Sequence, residues 1–403
     1  MLDIELSWAG VMPLNLDVLF ASSKGSQYRY YKALANATNY KAKVVTLIPT
    51  LKLNVFNSGL NTKLIRDGLS FHMERKRRKY VGSTEYGFLL KVYYIFSGLY
   101  FSLIYLSYLS CFKKMSPKVV CLWNGHRLPE MAIKAAASRC DVKVAHFENG
   151  LLPDSTIMDF GGVNAFSSLP KDPEFYLEYA KSKQVSKVEK SLEVRLPHKK
   201  RKDFIFEEFD FDQKYIFVPF QVNFDSQVII NSPRVNSMVE LYEILEKTLI
   251  MINSKNIIFV VKEHPSDSYT YSDLHGRNDR IKFVNENTEN LIRNAKAVIT
   301  LNSSVGIEAS MLGKTVLVLG NACYGIEGVT TPVNSLKELV DVIDNIDNYA
   351  QVLNISDSFF YYLENEYLLP GAWQNQLNNV EPHHLIAFEN KIGAACCVGN
   401  KSG

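Results

Sequence analysis

The chain has 403 residues, 47% of them hydrophobic and 22% charged, with a formal net charge of +3. That length can bury more than one core, so two domains are expected, and the near balance of charge gives no general electrostatic case for nucleic acid as a partner. The six cysteines are scattered without metal-ligand spacing, Cys396 and Cys397 being adjacent, which reads as a reduced cytosolic chain with neither a disulfide framework nor a zinc site.

In chain order, residues 1–6 lack a basic start and a long apolar core, so no signal peptide is expected. Residues 16–21 read as a short strand, followed by a polar turn from Ser22 to Gln27 and an aromatic helix from Tyr28, and 42–47 as a second strand. A basic run covers 75–79, and a second covers 198–202; such runs are solvated loops or anchors at an anionic lipid surface. Residues 92–112 carry no charge and are long enough to span a bilayer, which needs ~20 residues. Five tyrosines and four serines in that stretch favour a long buried helix of the first domain over a membrane span. Residues 118–123 form a third strand, 131–139 a helix and 143–147 a fourth strand. Apolar runs that alternate with helices imply a parallel sheet covered on both faces.

The fourth strand runs into Phe147-Glu148-Asn149-Gly150, then Pro153, Asp159, Gly162-Val163-Asn164 and Ser167. Carboxylates, amides and glycines placed after a buried strand either turn the chain or hold a ligand. Residues 171–213 are dense in Lys and Glu and read as helices and linker; Asp210-Phe211-Asp212 lies there, ahead of the next strand, and belongs to that linker rather than to a metal-bound nucleotide-sugar site.

A second alternation follows. Strands are expected at 215–219, 257–261, 281–284, 297–301 and 315–319, with helices at 239–252, 289–295, from 307, at 336–346 and at 359–368. The tail packs back on a domain, and the residues after 391 are expected to be loose. The parts are then 1–205, an acceptor-side Rossmann-like domain with linker helices; 206–350, a donor-side Rossmann-like domain; and 351–403, a helical tail.

Three segments of the second domain could carry chemistry. In the turn Asn302-Ser303-Ser304-Val305-Gly306, hydroxyls and free N–H groups at a helix start suit an anion, Gly306 permits close approach, and Glu308 can accept from ribose hydroxyls; simple capping by a serine is compatible with this. Lys262-Glu263-His264-Pro265 closes the preceding strand, where His264 either serves a phosphate and leaving group or is a structural histidine. Asp225 follows the domain's first strand, and Asn231 has the shape of an aspartate without its charge. There is no Gly-x-Ser-x-Gly elbow, Walker loop or HExxH motif.

Taken together, Trp123-Asn124-Gly125, Glu148-Asn149-Gly150, Asp159 with Gly162-Val163-Asn164, Gln221-Val222 with Asp225-Ser226, Lys262 with His264-Pro265, and Ser304 to Glu308 with Gly313 resemble the bacterial capsule and lipopolysaccharide β-Kdo transferases, which use CMP-Kdo. The chain departs from that pattern at Asn149 and Glu263. The resemblance implies two doubly wound domains in a GT-B-like α/β arrangement and a retaining transfer of Kdo to a cell-surface glycan. CMP would lie on Lys262, His264, Asn302, Ser303, Ser304, Gly306 and Glu308. The acceptor, a lipid-linked glycan, would enter near residues 22–27 and 124–127. Asp159, Asp225 and Glu148 are the candidate nucleophile or base, joined by Asn231 if it replaces an aspartate, with His264 assisting departure. No motif requires a metal or a cofactor. Such an enzyme would work at the cytoplasmic face of the inner membrane. The alternatives are a transferase of another nucleotide sugar, sialyl or UDP-linked, and a non-catalytic scaffold of a polysaccharide assembly.

Overall fold

The computed structural model describes residues 14–23, 25–50, 53, 58–80, 86–183, 185, 209–210, 213–349 and 353–397. The basic run at 198–202, the start at 1–6 and residues 211–212 of the Asp-Phe-Asp triplet lie outside them.

The first half alternates β1 (Val18–Ala21), α1 (Ser26–Ala37), β2 (Ala42–Val45), α2 (Thr62–Tyr80), α3 (Tyr86–Met115), β3 (Val119–Trp123), α4 (Leu128–Arg139), β4 (Lys143–Asn149), β5 (Ser155–Asp159) and α5 (Pro173–Ser182). The second half runs β6 (Tyr215–Pro219), α6 (Ser226–Asn231), α7 (Met238–Met251), β7 (Ile258–Lys262), β8 (Ile281–Phe283), α8 (Thr288–Asn294), β9 (Ala297–Thr300), α9 (Ser304–Met311), β10 (Thr315–Val318), β11 (Thr331–Pro332) and α10 (Leu336–Asp344). The tail adds α11 (Leu353–Tyr362), β12 (Leu368–Pro370) and α12 (Pro382–Cys397).

Two six-stranded sheets result, in the orders β12-β5-β4-β3-β1-β2 and β11-β10-β9-β6-β7-β8. The second is parallel throughout, and the first is parallel apart from β5, which runs antiparallel to both β4 and β12. Strand residues alternate between the faces as the pleat requires. Val18, Phe20, Val119 and Cys121 pack against Tyr30, Tyr31, Phe388 and Ile392 of α1 and α12, while Leu19, Ala21, Val120 and Leu122 face α3 and α4. The second sheet divides in the same way, with Ile216, Val218, Val261 and Ile299 set against α7 and α10. Its other face continues into Leu152, Ile157 and Val163 of the first half, so one apolar cluster spans both domains. These are two Rossmann-like domains with a helical tail, in a GT-B-like arrangement. All six cysteines are unpaired.

Local chemistry sets the helix starts. Ser237 accepts from the Glu240 N–H and Ser335 from the Glu338 N–H, two S-x-x-E starts, while Asn287 caps α8.

The structure corrects four expectations. The polar stretch after β4 is a hairpin in which Ser155–Asp159 returns as a strand; the Gly150 N–H donates to the Ser155 carbonyl, and a Cβ at Gly150 would lie 1.9 Å from Ser155 Oγ. The helix expected at 359–368 is α11, which opens into a wide turn over Leu363–Tyr367 and ends in β12, because Leu368 and Leu369 have an open sheet edge at β5 to pair with. Residues 392–397 are not loose but helical, since Phe388 and Ile392 cover the first sheet. The apolar residues of the long helix α3 are buried from Phe101 onward, whereas in its first half Phe88, Leu89, Ile95, Phe96 and Leu99 are exposed, although Ser97 is buried.

Candidate functional site

Each sheet has a switch point where consecutive connections leave in opposite directions, and ligands collect at the carboxyl ends of the strands there. In the second sheet, β6 lies between β7 and β9. The loops after these three strands carry Gln221 to Asp225, Glu263 to Asp267 and Leu301 to Ser303. In the first sheet, the loops after neighbouring strands β1 and β3 bring Ser22 and Asn124–Arg127 to one edge.

The floor of the second crevice is a closed amide network. Gln221 Nε2 donates to Asn302 Oδ1 at 3.0 Å, and Asn302 Nδ2 donates to the carbonyls of Gln227 and Asn231 at 2.9 and 3.1 Å. Asn231, 3% exposed, donates to Gln227 Oε1 at 2.8 Å, and its carbonyl also accepts the Asn321 N–H. Asn231 and Asn302 thus tie the ends of β6, β9 and β10 together.

Over this floor stands the start of α9. Ser303 Oγ accepts from the Val305 N–H at 3.2 Å, which leaves the exposed Ser304 and the helix N-terminus toward the crevice. The buried Tyr324 hydroxyl donates to the Ser303 carbonyl and props this turn from below. A Cβ at Gly306 would meet that hydroxyl at 2.5 Å, so a glycine is needed here for packing, not for backbone freedom. Gly306→Ala should therefore destabilise the protein by ~1–3 kcal/mol through overpacking, more than the ~1 kcal/mol of helix propensity it gains, and thermal unfolding checks this as a lower Tm. Glu308 lies one turn into the helix and is partly exposed.

Two loops away, Lys262 Nζ donates to Thr288 Oγ1 at 2.9 Å. His264 is exposed, and its Nδ1 accepts the Ser266 N–H at 3.1 Å, so a neutral ring carries its proton on Nε2 as a donor. Asp267 fixes the loop: it is 1% exposed and accepts from Asn223 N, Tyr269 N and the Tyr271 hydroxyl. Glu263 is held by His275 Nε2 at 2.9 Å.

The three candidate carboxylates have different surroundings. Asp159 is 2% exposed and saturated: Oδ1 accepts the N–H groups of Gly161 and Gly162, and Oδ2 accepts Ser168 N, Ser168 Oγ and the Tyr367 hydroxyl at 2.8, 2.9 and 2.6 Å. It ties the loop after β5 to the tail. Asp225 caps α6 through Oδ1, which accepts Gln227 N at 2.8 Å and Ser226 Oγ at 3.2 Å. Glu148, at the end of β4, accepts Asn124 Nδ2 at 2.7 Å and the Asn149 N–H at 3.0 Å. Asn124 reaches it from a left-handed backbone with φ 59°. Burial raises the Glu148 pKa from its ordinary 4.5; the two hydrogen bonds and the charge of Arg127 oppose the shift, and the Asp225 charge adds to it.

Two contacts pin the gap between the domains. Lys171 Nζ donates to the carbonyls of Ala322 and Cys323 at 3.1 and 2.8 Å, and the end of α2 reaches over, Arg78 donating to the Asn236 carbonyl and Lys79 lying 5.9 Å from the Phe224 ring centre. Lys171 and Tyr324 escaped attention as sequence. Lys171 is one lysine in a charged segment, and Tyr324 belongs to no motif.

The raised Glu148 pKa has a stability consequence. The folded state holds this proton more tightly than the unfolded chain, so ionising Glu148 costs stability as pH rises from about 4.5 through the raised value. Glu148→Gln should raise Tm at neutral pH, with the gain vanishing below about pH 4.5, and thermal unfolding across pH checks both limbs.

With the geometry in place, similarity to known proteins can be weighed. A family model described as capsule polysaccharide biosynthesis protein matches residues 118–208 and 186–341, more than half of the chain. Protein FixF of Sinorhizobium fredii is 32% identical over 67% of this chain and 65% of its own length, so the chain spans just under two thirds of that relative. The capsule polysaccharide export protein KpsS of Escherichia coli is 27% identical over 53% of this chain and 69% of its own length. The solved structure of Thermosulfurimonas dismutans KpsC, described as a beta Kdo 2,7 transferase, aligns with 80% of this chain and 88% of that chain at 18% identity and a TM-score of 0.43. The matched residues take in β3 to β11, and with them Glu148, Asp225 and the crevice around α9: the chain belongs to the capsule polysaccharide biosynthesis protein family.

Proposed function

We propose that this protein is a retaining glycosyltransferase that moves Kdo from CMP-Kdo to a glycan acceptor, with CMP on the second domain and the acceptor on the first. The single observation that carries the reading is the placement of two acidic residues at strand ends of two domains that share one apolar cluster, Glu148 at the end of β4 and Asp225 in the loop after β6. A two-domain transferase needs its acidic groups where donor and acceptor meet, and Asp159, Asn231 and Asn302 are spent on structure.

In this reading the CMP phosphate lies at the N-terminus of α9 beside Ser304, with Lys262 and the Nε2 proton of His264 meeting the charge that builds as CMP departs. Glu308 accepts from the ribose. The Asp225 carboxylate attacks the anomeric carbon while the bond to the CMP oxygen breaks, and CMP leaves with the electron pair. An acceptor hydroxyl then displaces Asp225 from the face that CMP left, its proton passing to the Glu148 carboxylate. Two displacements retain configuration. Placing Glu148, whose raised pKa makes its carboxylate a better proton acceptor, as the general base and the hydrogen-bonded Asp225 as nucleophile follows the rule that unequal surroundings assign unequal roles. The proposal uses no metal and no cofactor. It extends to a lipid-linked acceptor and to work at the cytoplasmic face of the inner membrane.

The donor is tested by thermal-shift titration with CMP, UDP and GDP, followed by CMP-Kdo with synthetic and lipid-linked acceptors. A shift with CMP alone and release of CMP on transfer are expected. A shift with UDP but not CMP replaces the donor, and no binding or transfer of any kind leaves the scaffold reading in its place.

A further inference from the structure

Helices α2 and α3 form a hairpin on the outside of the first domain, and its surface differs from the rest of the molecule in two respects. It is apolar where it should be wet: Phe88 is 73% exposed, Leu89 55%, Ile95 60%, Phe96 65% and Leu99 63%. Phe88, Ile95 and Leu99 are spaced by two turns and one turn, so they share a face of α3. Contiguous apolar patches of this kind mark interaction sites. The hairpin is also strongly basic. Its two helices carry ten Lys and Arg against two Asp and Glu, whereas the whole chain has 45 against 42. Lys91 and Arg75 are exposed at the margins of the stripe, and Arg66 lies exposed on α2, paired with its neighbour Asp67 at 3.6 Å. Two open hollows of about 380 and 570 Å³ flank the stripe, the first bounded by Phe96, Tyr100 and Arg75, the second by Leu90, Ile95 and Arg66.

We propose that the first half of α3 lies in the plane of an anionic lipid bilayer, its apolar stripe sunk among the acyl chains and the basic residues of the hairpin set against the headgroups. Charge complementarity selects this occupant. A second copy of the chain would set one basic hairpin against another, whereas an anionic lipid surface answers its charge.

The geometry also separates lying on the membrane from crossing it. Helix α3 as a whole is long enough and apolar enough to cross. Its exposed part, residues 88–100, is only ~20 Å long at 1.5 Å per residue, against the ~30 Å of a bilayer core. The remainder, with Phe101, Ile104, Tyr105, Tyr108 and Phe112 buried, is the core between α3, α4 and the first sheet, and a span would have to strip it out. The basic end of the same hairpin reaches the donor side at Phe224 and Asn236, so a docked α3 sets the cleft at the membrane surface.

The inference rests on the surface alone and stands whichever sugar is transferred. It is tested on the full chain by co-sedimentation with vesicles of phosphatidylglycerol and phosphatidylethanolamine, and with vesicles of phosphatidylcholine, at low salt. Binding at least about tenfold tighter to the anionic vesicles is expected. Both Ile95 and Phe96 are exposed, so Ile95→Asp with Phe96→Asp should leave Tm unchanged and lower vesicle binding at least about tenfold. Arg75→Glu with Lys91→Glu should remove most of the anionic preference. Phe96→Trp should shift its emission to the blue on binding and be quenched by lipids brominated near the headgroup rather than at the chain end. Undiminished binding by the aspartate pair, quenching at the bilayer centre, or a wild-type dimer that the aspartate pair turns into a monomer would each overturn the proposal.

Discussion

Replacing Asp225 by Asn, or Glu148 by Gln, should each lower kcat for sugar transfer by about 10³-fold, the middle of the range for a positioned acid–base or nucleophilic group, while the protein stays folded. The two losses should differ in kind. Asp225→Asn removes the attacking oxygen, so it should suppress CMP release even without acceptor. Glu148→Gln leaves the nucleophile in place, and the first displacement needs no proton from Glu148, because departing CMP is already a stable anion. That variant should release about one CMP per chain and then stall, its intact mass raised by one covalently bound sugar. The wild-type pH profile should show a limb set by Glu148 above the usual glutamate value, since burial holds its proton. Glu148→Gln should abolish this limb. Rapid-quench CMP release and intact-protein mass spectrometry check these outcomes, and equal, acceptor-independent losses in both variants would reverse or dissolve the assignment. Against these effects, His264→Ala and Lys262→Ala should cost less and raise KM for the donor, because they meet charge on a group that leaves readily.

What the sequence revealed, and what it hid, follows from the range of the interactions involved. The parallel strands were legible because each is a short, fully buried apolar run bounded by turn residues, a signal contained within the strand itself. So were the loops at their carboxyl ends, because polar and small residues gather where a buried strand emerges. Strand β5 was hidden: Ser155-Thr156-Ile157-Met158-Asp159 is a strand because β4 and β12 pair with it on either side, and β12 comes from more than two hundred residues further on. The tail was hidden for the same reason. Leu368 and Leu369 end a helical pattern, yet an unpaired edge of the first sheet draws them into a strand. The three candidate acids and Asn231 looked alike as letters. Only their partners separate them: the tail's Tyr367 and the turn at Gly161 for Asp159, α6 for Asp225, Asn124 from the neighbouring strand's loop for Glu148, and the amide network for Asn231. The exposed half of α3 was the converse case. Composition identified an apolar helix, but which half the core would cover depended on where α2, α4 and the sheet end.

Asp159→Ala should be the most destabilising of the carboxylate substitutions, by ~3–5 kcal/mol, and should act on folding rather than on chemistry. Five hydrogen bonds converge on this carboxylate, from Gly161 N, Gly162 N, Ser168 N, Ser168 Oγ and the Tyr367 hydroxyl. Truncation leaves the buried Gly162 N–H and Tyr367 hydroxyl with no acceptor here, and an unmet buried donor costs ~1–3 kcal/mol. Asp159→Asn should recover only part of the loss, since one of its two heads is then a donor facing donors. Tyr367→Phe, which removes a single donor and leaves the carboxylate with four partners, should cost far less. In urea, the midpoint should fall in the order Tyr367→Phe, Asp159→Asn, Asp159→Ala with an unchanged slope, as for a loss of native stability without a change in the surface exposed. Turnover per folded molecule should fall much less than in the Glu148 and Asp225 variants, because Asp159 is closed off from the gap by its own partners. A normal midpoint with turnover down about 10³-fold would instead place Asp159 among the reacting groups and remove the physical basis for setting it apart from the other two.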